Sequence, residues 1–571
     1  MKATGFIFLF ILYSLTVNAA RVNVSTASAI NAGNWRAGDT IIMKNGIWNN
    51  QTISLTATGN SANPVVLLAE TAGSVILNGT SRISVGGNYV VVSGLYFLNG
   101  NLATNPIIEF RTNVAANNCT LKNTAIINCN PINNTTDTSK WVSVYGQNNT
   151  VEHCSFENKT NMGTLLVVWL TSGTSANHTI SNNYFGHRNP ILDVNGKELN
   201  GQEIIRIGDS GTSMTTANVT LSGNFFEKCN GEMEIVSNKS CGNVYTNNLF
   251  LECKGALTLR HGNGCTVNGN YFFGNNVAEC GGVRIIGENH KVYNNYFEKL
   301  KGTDYRAALC IVRGKENSTL NEYFQVKNTM VAFNTMVDCT EAFNINYNTS
   351  STCSLPPIGT TIAHNHVYNS GTSNYNVIVD QTNVAAIGIT WKNNLMNQGK
   401  YTDFSYKSTQ VVTGKDAKMA LTTTSIGMYE PGAGSTLLNY VTTEYSDVLL
   451  DIRGRSRGTT AKVPGASQIS GSISKTMPAK NNVGAAFLYN TSTGIEAVLQ
   501  QPLDLSLSNK KIRIKTLISG QLSVSNISGQ IISQKNLVNE PYTSQTLSNG
   551  LYIVNLIGLS GDKKTSKILV Q

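Results

Sequence analysis

A short asparagine-led motif recurs through the middle of the chain and limits the folds open to it. Asparagine followed by two aromatic or apolar residues stands at Asn183-Tyr184-Phe185, Asn224-Phe225-Phe226, Asn248-Leu249-Phe250, Asn270-Tyr271-Phe272 and Asn295-Tyr296-Phe297. Weaker copies follow at Asn334, Asn365 and Asn394. Successive spacings are 24, 22 and 25 residues (248−224, 270−248, 295−270). A period in the low twenties, built from strand-forming residues without helical periodicity, signals a parallel β-helix. Each coil supplies short strands to long sheets, and Phe and Ile fill the interior. Asparagine at the turns stacks in ladders and tolerates left-handed backbone. A wider gap of 41 (224−183) leaves room for a loop inserted in one coil. A leucine-rich repeat has a similar period but needs an LxxLxL string that the chain lacks.

The expectation is an all-β protein with a right-handed parallel β-helix over residues 20–450. Residues 22–48 form its N-terminal cap, because a solenoid end must be covered. At 571 residues the chain is too long for one ordinary compact core. Only 13% of residues are charged and 51 are glycine, in keeping with a turn-rich β protein.

Within the array one constellation carries chemistry. The string "GEMEIVSNKS" holds Glu232, Glu234 and Lys239, and "LTLRHGNG" holds Arg260. Strand alternation points Glu232 and Glu234 the same way. Two parallel carboxylates repel unless a cation lies between them. A lysine and an arginine beside such a cation form a site for taking a proton from an acidic sugar. The net charge of +10 favours an acidic partner. No dense Lys/Arg run interleaved with aromatics is present, so an acidic polysaccharide is expected and nucleic acid is not.

Residues 1–19 read as a secretory signal, with Lys2, an apolar run from Phe6 to Val17, and small residues for cleavage. That run is too short to span a bilayer, and no other stretch is a transmembrane candidate. The eleven cysteines are odd in number. Cys229, Cys241, Cys253 and Cys265 stand 12 apart (241−229, 253−241, 265−253), so a 24-residue coil stacks Cys229 on Cys253 and Cys241 on Cys265. Buried thiol stacks are expected in preference to disulfides. No CxxC pair points to zinc.

Beyond about residue 440 the repeat fades. Residues 451–496 read as a closing segment and linker, rich in Gly, Ser and Thr over 454–474. Residues 497–571 alternate like strands, broken by Gly520, Gly529 and Gly550, and read as a small β-sandwich. This tail resembles the C-terminal sorting domain of the type IX secretion system in "GQIIS", "LSNGLYIVNL" and "SKILVQ". The resemblance implies export by the type IX machinery to a secreted or cell-surface location. A carbohydrate-binding or adhesive module is the alternative.

Four ordered strings, "NGQEIIRIG" at 200–208, "GEMEIVSNKS", "LTLRHGNG" and "GGVRIIG" at 281–287, resemble polysaccharide lyase family 6. That family holds alginate lyases and chondroitinase B, and the resemblance covers about residues 25–450. It implies Ca2+ held by Asn200, Glu232 and Glu234, a catalytic base at Lys239 and a catalytic acid at Arg260. Amide and carboxylate oxygens suit calcium. The implied reaction is β-elimination on a 4-linked uronate. The carboxylate charge is neutralised, Lys239 takes the C5 proton, and Arg260 stabilises or protonates the leaving O4. Positive neighbours favour the neutral amine a base requires. The high intrinsic pKa of arginine leaves the exact role of Arg260 open.

Further substrate-binding candidates are Arg206, Arg284, His261, Arg313, Glu322 and Tyr323. Arginines grip carboxylates bidentately. A regular strand turns His261 away from Arg260, whereas a turn there brings it into the groove. Arg206 has a structural alternative, an ion pair with Glu203 or Asp209. Alginate is the expected substrate. Dermatan sulfate is the alternative, with Arg313 the one nearby cation to meet a sulfate. A β-helix glycoside hydrolase needs an acid pair across the bond, and an adhesin needs neither Lys239 nor Arg260.

Overall fold

The computed structural model describes residues 19–485 and 505–570, except 349, 371–374, 381–387, 397–398, 403–410, 414–418, 422–426, 433, 459–460, 527–529 and 559–562. The signal-peptide reading of residues 1–19 falls almost wholly outside them. The chain divides into two compact units, Met1–Asn490 and Thr491–Gln571. The first is a parallel β-helix. Its described strands form three long parallel sheets of 14 strands each. Sheet 1 begins with Arg21–Val24, sheet 2 contains Glu234–Lys239, and sheet 3 contains Phe225–Cys229. A five-residue helix, Ala27–Asn31, buries Ala27 and Ile30 at the N-terminal end.

The asparagine motif marks the corner between sheets 1 and 3. Asn183, Asn224, Asn248, Asn270, Asn295, Asn334, Asn365 and Asn394 are all buried there. Each Oδ1 from Asn224 onward accepts the backbone N–H and the side-chain amide of the asparagine one coil earlier, at 2.9–3.0 Å. A buried amide so satisfied avoids a penalty of about 1–3 kcal/mol. The residue before each of these asparagines has a left-handed backbone, including Asn182 (φ 54°), Asn247 (φ 53°) and Gly223 (φ 66°). That turn aims the following side chain inward.

Beside the ladder, Phe156, Phe185, Phe226, Phe250, Phe272 and Phe297 stack in register, with centroids 4.6–5.2 Å apart. Each such ring, fully buried, contributes about 1.5–3 kcal/mol. All eleven cysteines are free thiols, ten of them buried, and Cys241 is half-buried.

The segment from residue 428 to 484, whose part beyond 450 the sequence pattern marks as a closing stretch and whose earlier part it places in the helix, returns along the outside of sheet 3. It covers the outward aromatic row of Tyr184, Phe225, Tyr271, Phe273 and Tyr296 with Met428, Ile452, Ala466 and Val483. Arg457 is buried and pins the strap: its guanidinium donates to Asn294 Oδ1 at 2.7 Å and to the carbonyls of Val463, Gly465 and Ala466. Asp451, equally buried, accepts from the amides of Arg453, Arg455 and Gln468.

The second unit is a five-stranded antiparallel sheet built from Leu505–Ser508, Lys511–Asn526, Ile531–Thr543, Gly550–Gly558 and Lys563–Val570. Ile512, Ile514, Leu522, Val524 and Val554 form its core. Gly520 lies within a strand and does not break it, and Gly550 opens one. Gly529 lies outside the described residues. Among the described residues, no helix is long and apolar enough to cross a membrane.

Candidate active site

A pocket of about 440 Å³ opens on the outer face of sheet 2. Two adjacent strands, Glu234–Lys239 and Gly255–His261, form its floor. Asn238 pairs with Leu259 and Lys239 with His261, which leaves Arg260 as one extra residue. This is a β-bulge, and a bulge re-aims the side chains beside it. Arg260 and His261 therefore both line the pocket, with Arg260 Nη1 2.8 Å from His261 Nε2. Arg284, opposite Thr258 on the next strand, completes the floor.

A hairpin inserted between sheets 3 and 2 supplies one wall. It closes through Leu199 N–H to Ile191 C=O (2.9 Å), and buried Gln202 staples its base to Ile191 and Leu199. The hairpin brings Asn200 to the pocket edge, where it is exposed. The amides of Gly201 and Gln202 donate to Glu232 Oε2 at 2.7 and 2.9 Å. The loop from residue 315 to 323 supplies the opposite wall. It is closed by Lys315 N–H to Tyr323 C=O and by a Lys315–Glu322 ion pair. Arg260 donates to the carbonyls of Glu322 (2.8 Å) and Asn321 (3.3 Å) and lies 4.4 Å over the Tyr323 ring.

Charge is concentrated here. Glu234 Oε1 sits 3.7 Å from Arg260 Nε and 3.8 Å from Arg284 Nη1, and its Oε2 accepts from Ser237 at 2.5 Å. Burial opposes the charge of Arg284, but Glu234 and Tyr323 outweigh it and hold this guanidinium above its usual range. Burial, and then Arg260 and Lys239, push His261 down to about 3. Burial, with Glu203 and then Glu234 nearby, pushes the Glu232 carboxyl well above the usual carboxylate range.

Of the residues named from sequence, the pocket brings together Asn200, Glu232, Glu234, Lys239, Arg260, His261, Arg284 and Tyr323. Three lie outside it. Arg206 stands one strand away over the Trp169 ring at 5.3 Å, and among the described residues it pairs with neither Glu203 nor Asp209. Asp209 instead caps the turn Ser210–Thr212. Arg313 donates to the Ser354 carbonyl. The Glu322 carboxylate turns to Lys315 and Thr319, away from the groove.

Glu203 is a pocket residue that sequence reasoning did not assign to the groove. It is buried and held by Thr164 at 2.8 Å. Its signal was its place inside "NGQEIIRIG". Among the described residues, no group of three or more His, Cys, Asp or Glu side chains is arranged to hold a metal ion. Glu232, Glu234 and the Asn200 amide are a mixed carboxylate–amide oxygen set, the donor type a hard cation takes. Burial first, and then the Glu203 carboxylate, raise the Glu232 carboxyl, and a positive charge beside it would lower it again.

No curated protein matches the chain. Among solved structures it is similar to the PL6 family alginate lyase AlyGC, at 33% identity and a TM-score of 0.66. That match covers 72% of this chain and 55% of the other, so the chain spans little more than half the length of that enzyme. A mannuronic acid specific family 6 lyase from human gut microbiota is 29% identical, with a TM-score of 0.63, covering 70% of this chain and 92% of that one. A PL6 family polysaccharide lyase from Pseudopedobacter saltans is 28% identical, with a TM-score of 0.58, covering 70% and 97%. The family model described as chondroitinase B matches residues 23–438, which takes in every strand that builds this pocket. The chain belongs to the chondroitinase B family of polysaccharide lyases, polysaccharide lyase family 6.

Proposed function

We propose that the protein cleaves alginate, a 4-linked uronate polymer, by β-elimination, with Ca2+ as its cofactor. The observation that carries this reading is the convergence of Lys239, Arg260, His261 and Arg284 on the Glu232–Glu234 carboxylates in one open groove. The names of the similar structures, an alginate lyase and a mannuronate-specific lyase, support alginate over dermatan sulfate.

Asn200, Glu232 and Glu234 would hold the calcium ion. When bound, it supplies positive charge to neutralise the uronate carboxylate next to the scissile bond. Lys239 Nζ takes the C5 proton. Arg260, oriented by the carbonyls of Asn321 and Glu322, faces the leaving O4 and stabilises its developing charge as the C4–O4 bond breaks and the C4–C5 double bond forms, the freed oxygen taking a proton supplied by water. Neutral His261 accepts from Arg260 and keeps it in place. Arg284, tied to Glu234, holds the polymer's carboxylate side.

The test is incubation with alginate and with dermatan sulfate, with and without a chelator, following the ultraviolet absorbance of the new C4–C5 double bond. Absorbance that appears with alginate and disappears on chelation supports the reading. Reducing ends without absorbance mark a hydrolase, and binding without either marks an adhesin. Residues 497–571 are read as a type IX sorting signal. Their deletion is then expected to stop the protein reaching the cell surface, and surface delivery of the truncated chain removes that role.

A further inference from the structure

The row of residues that ends at the lysine of the floor does not begin there. Along the edge of sheet 2, Val144 pairs with Val168, Val168 with Ile207, and Ile207 with Asn238. Tyr145, Trp169, Gly208 and Lys239 each follow one of these residues, so they occupy equivalent places on four successive coils. Arg111 extends the row by one coil, since Glu109 pairs with Ser143. At about 4.8 Å per strand, Arg111 lies about 19 Å from Lys239.

The side chains of this row touch one another. The guanidinium of Arg111 lies 3.8 Å over the Tyr145 ring. Tyr145 and Trp169 stack with centroids 6.0 Å apart and planes 14° apart. Trp169 Nε1 reaches Ser143 Oγ at 3.4 Å, and Arg206 covers the Trp169 ring at 5.3 Å. The next rung is Gly208. Its φ of +77° disfavours any side chain, and a Cβ there would fall 2.6 Å from the Lys239 carbonyl oxygen. The aromatic row therefore meets the reaction pocket across a short step that carries no side chain of its own and is flanked by Leu170 and Thr212.

The cations along this row are incompletely neutralised. Glu109 is shared by Arg82 and Arg111, at 2.7 and 2.9 Å, which leaves one positive charge over. Among the described residues Arg206 forms no ion pair, and its Nε is buried without a partner. Lys140 donates to the Thr138 carbonyl, at 3.3 Å, and burial followed by the charge of Arg206 holds its pKa down, against an opposing pull from Glu203. Like charges in excess over the carboxylates beside them raise their own energy until an anion arrives. The two rings are stacked on each other and capped by Arg111 and Arg206, so what the row offers a polymer is held positive charge.

We propose that Arg111, Tyr145, Trp169, Arg206 and Lys140 form an extended subsite for the uronate polymer, remote from the scissile bond, which grips a carboxylate several sugars away. This rests on the uronate-lyase reading above. The groove then continues toward the N-terminal coils, and binding energy comes from parts of the chain that do not react.

The test uses the full chain and the variants Arg111→Ala and Trp169→Ala. Elimination rates are measured on alginate oligomers of increasing length. The ratio of kcat/KM on long oligomers to that on the shortest cleaved oligomer is expected to fall about tenfold, through KM. A ratio equal to that of the unmodified protein overturns the subsite. A second arm needs no turnover: electrophoretic retardation of the folded proteins in a native gel containing alginate. Weaker retardation of both variants supports the subsite, and retardation equal to the unmodified protein, or none for any of them, overturns it. An unmodified protein that is retarded but produces no absorbance refutes the lyase reading while leaving this surface standing.

Discussion

Arg260 and His261 are neighbours in sequence, yet both side chains line the groove, with Arg260 Nη1 2.8 Å from His261 Nε2. Burial, with Arg260 and Lys239, holds the imidazole down at about 3, so above that pH the ring is neutral and able to accept. Replacing His261 by Phe keeps a ring and removes the acceptor. A hydrogen bond to a charged group contributes about 1.5–3 kcal/mol, so kcat is expected to fall about 10- to 100-fold. Steady-state kinetics on alginate check this, and an unchanged kcat removes His261 from the positioning of Arg260.

Lys239→Ala is expected to lower turnover by about 10²- to 10⁴-fold, the usual range for losing a general base. Lys239 ends its strand half-buried, so the thermal midpoint and circular dichroism of the variant are expected to match the parent. Normal activity in a folded Lys239→Ala protein excludes it as the base.

A calcium ion bound to the native state alone, as proposed, would stabilise it by about 2.7 kcal/mol at a hundredfold excess over Kd. A chelator is therefore expected to lower the thermal midpoint of the parent. In Glu232→Gln the drop is expected to shrink or vanish, because one of the two carboxylates proposed to hold the ion is gone. Calorimetric titration gives the same comparison without heating, and equal calcium affinity in both proteins counts against Glu232 as a ligand.

The loop over Arg260 is tied by Glu322, whose carboxyl is lowered to about 2, first by Lys315 and then by Thr319. A depressed carboxylate contributes above its unfolded pKa and is lost only as pH falls toward 2. Glu322→Ala is thus expected to reduce kcat by a constant factor between pH 5 and 9, with little change in thermal midpoint because the ion pair lies at the surface, about a third open to solvent. A factor that varies steeply with pH across that window refutes the tie.

Two buried histidines replace asparagine in a second, mixed ladder at the corner between sheets 2 and 1. His178 Nδ1 accepts from Asn149 N–H at 3.0 Å, and His290 Nδ1 from Cys265 N–H at 3.1 Å. Burial pushes both down to about 4. The unfolded chain then binds more protons than the folded one between about pH 6.5 and 4, so stability falls as pH drops through that window. Urea midpoints are expected to decline there, with a shallower slope in His290→Gln. Identical slopes show that His290 does not titrate on unfolding.

The sequence displayed the spine of the fold because the spine is periodic. Each ladder asparagine must meet the next, so Asn183 through Asn394 are visible as a repeat. Glu232, Glu234, Lys239 and Arg260 were legible because they lie on that repeat at strand positions. The bulge at Arg260 was not, since one extra residue in a strand leaves no compositional trace. The strap from 428 to 484 was equally hidden. It follows no period, and its anchors, Arg457 and Asp451, bond mostly to backbone groups that any sequence provides. The rings under Arg206 were also missed, because Tyr145 and Trp169 belong to coils of unequal length.

That inequality has a further meaning. The interval from one ladder asparagine to the next ranges from 22 to 41 residues, while the bonds between them stay at 2.9–3.0 Å. The two longest, 41 and 39, contain the hairpin that carries Asn200 and the loop that covers Arg260. Chain length and position are thereby uncoupled: insertions are absorbed at the far corners, and new walls can be grown around the groove without shifting the floor on which Lys239 stands.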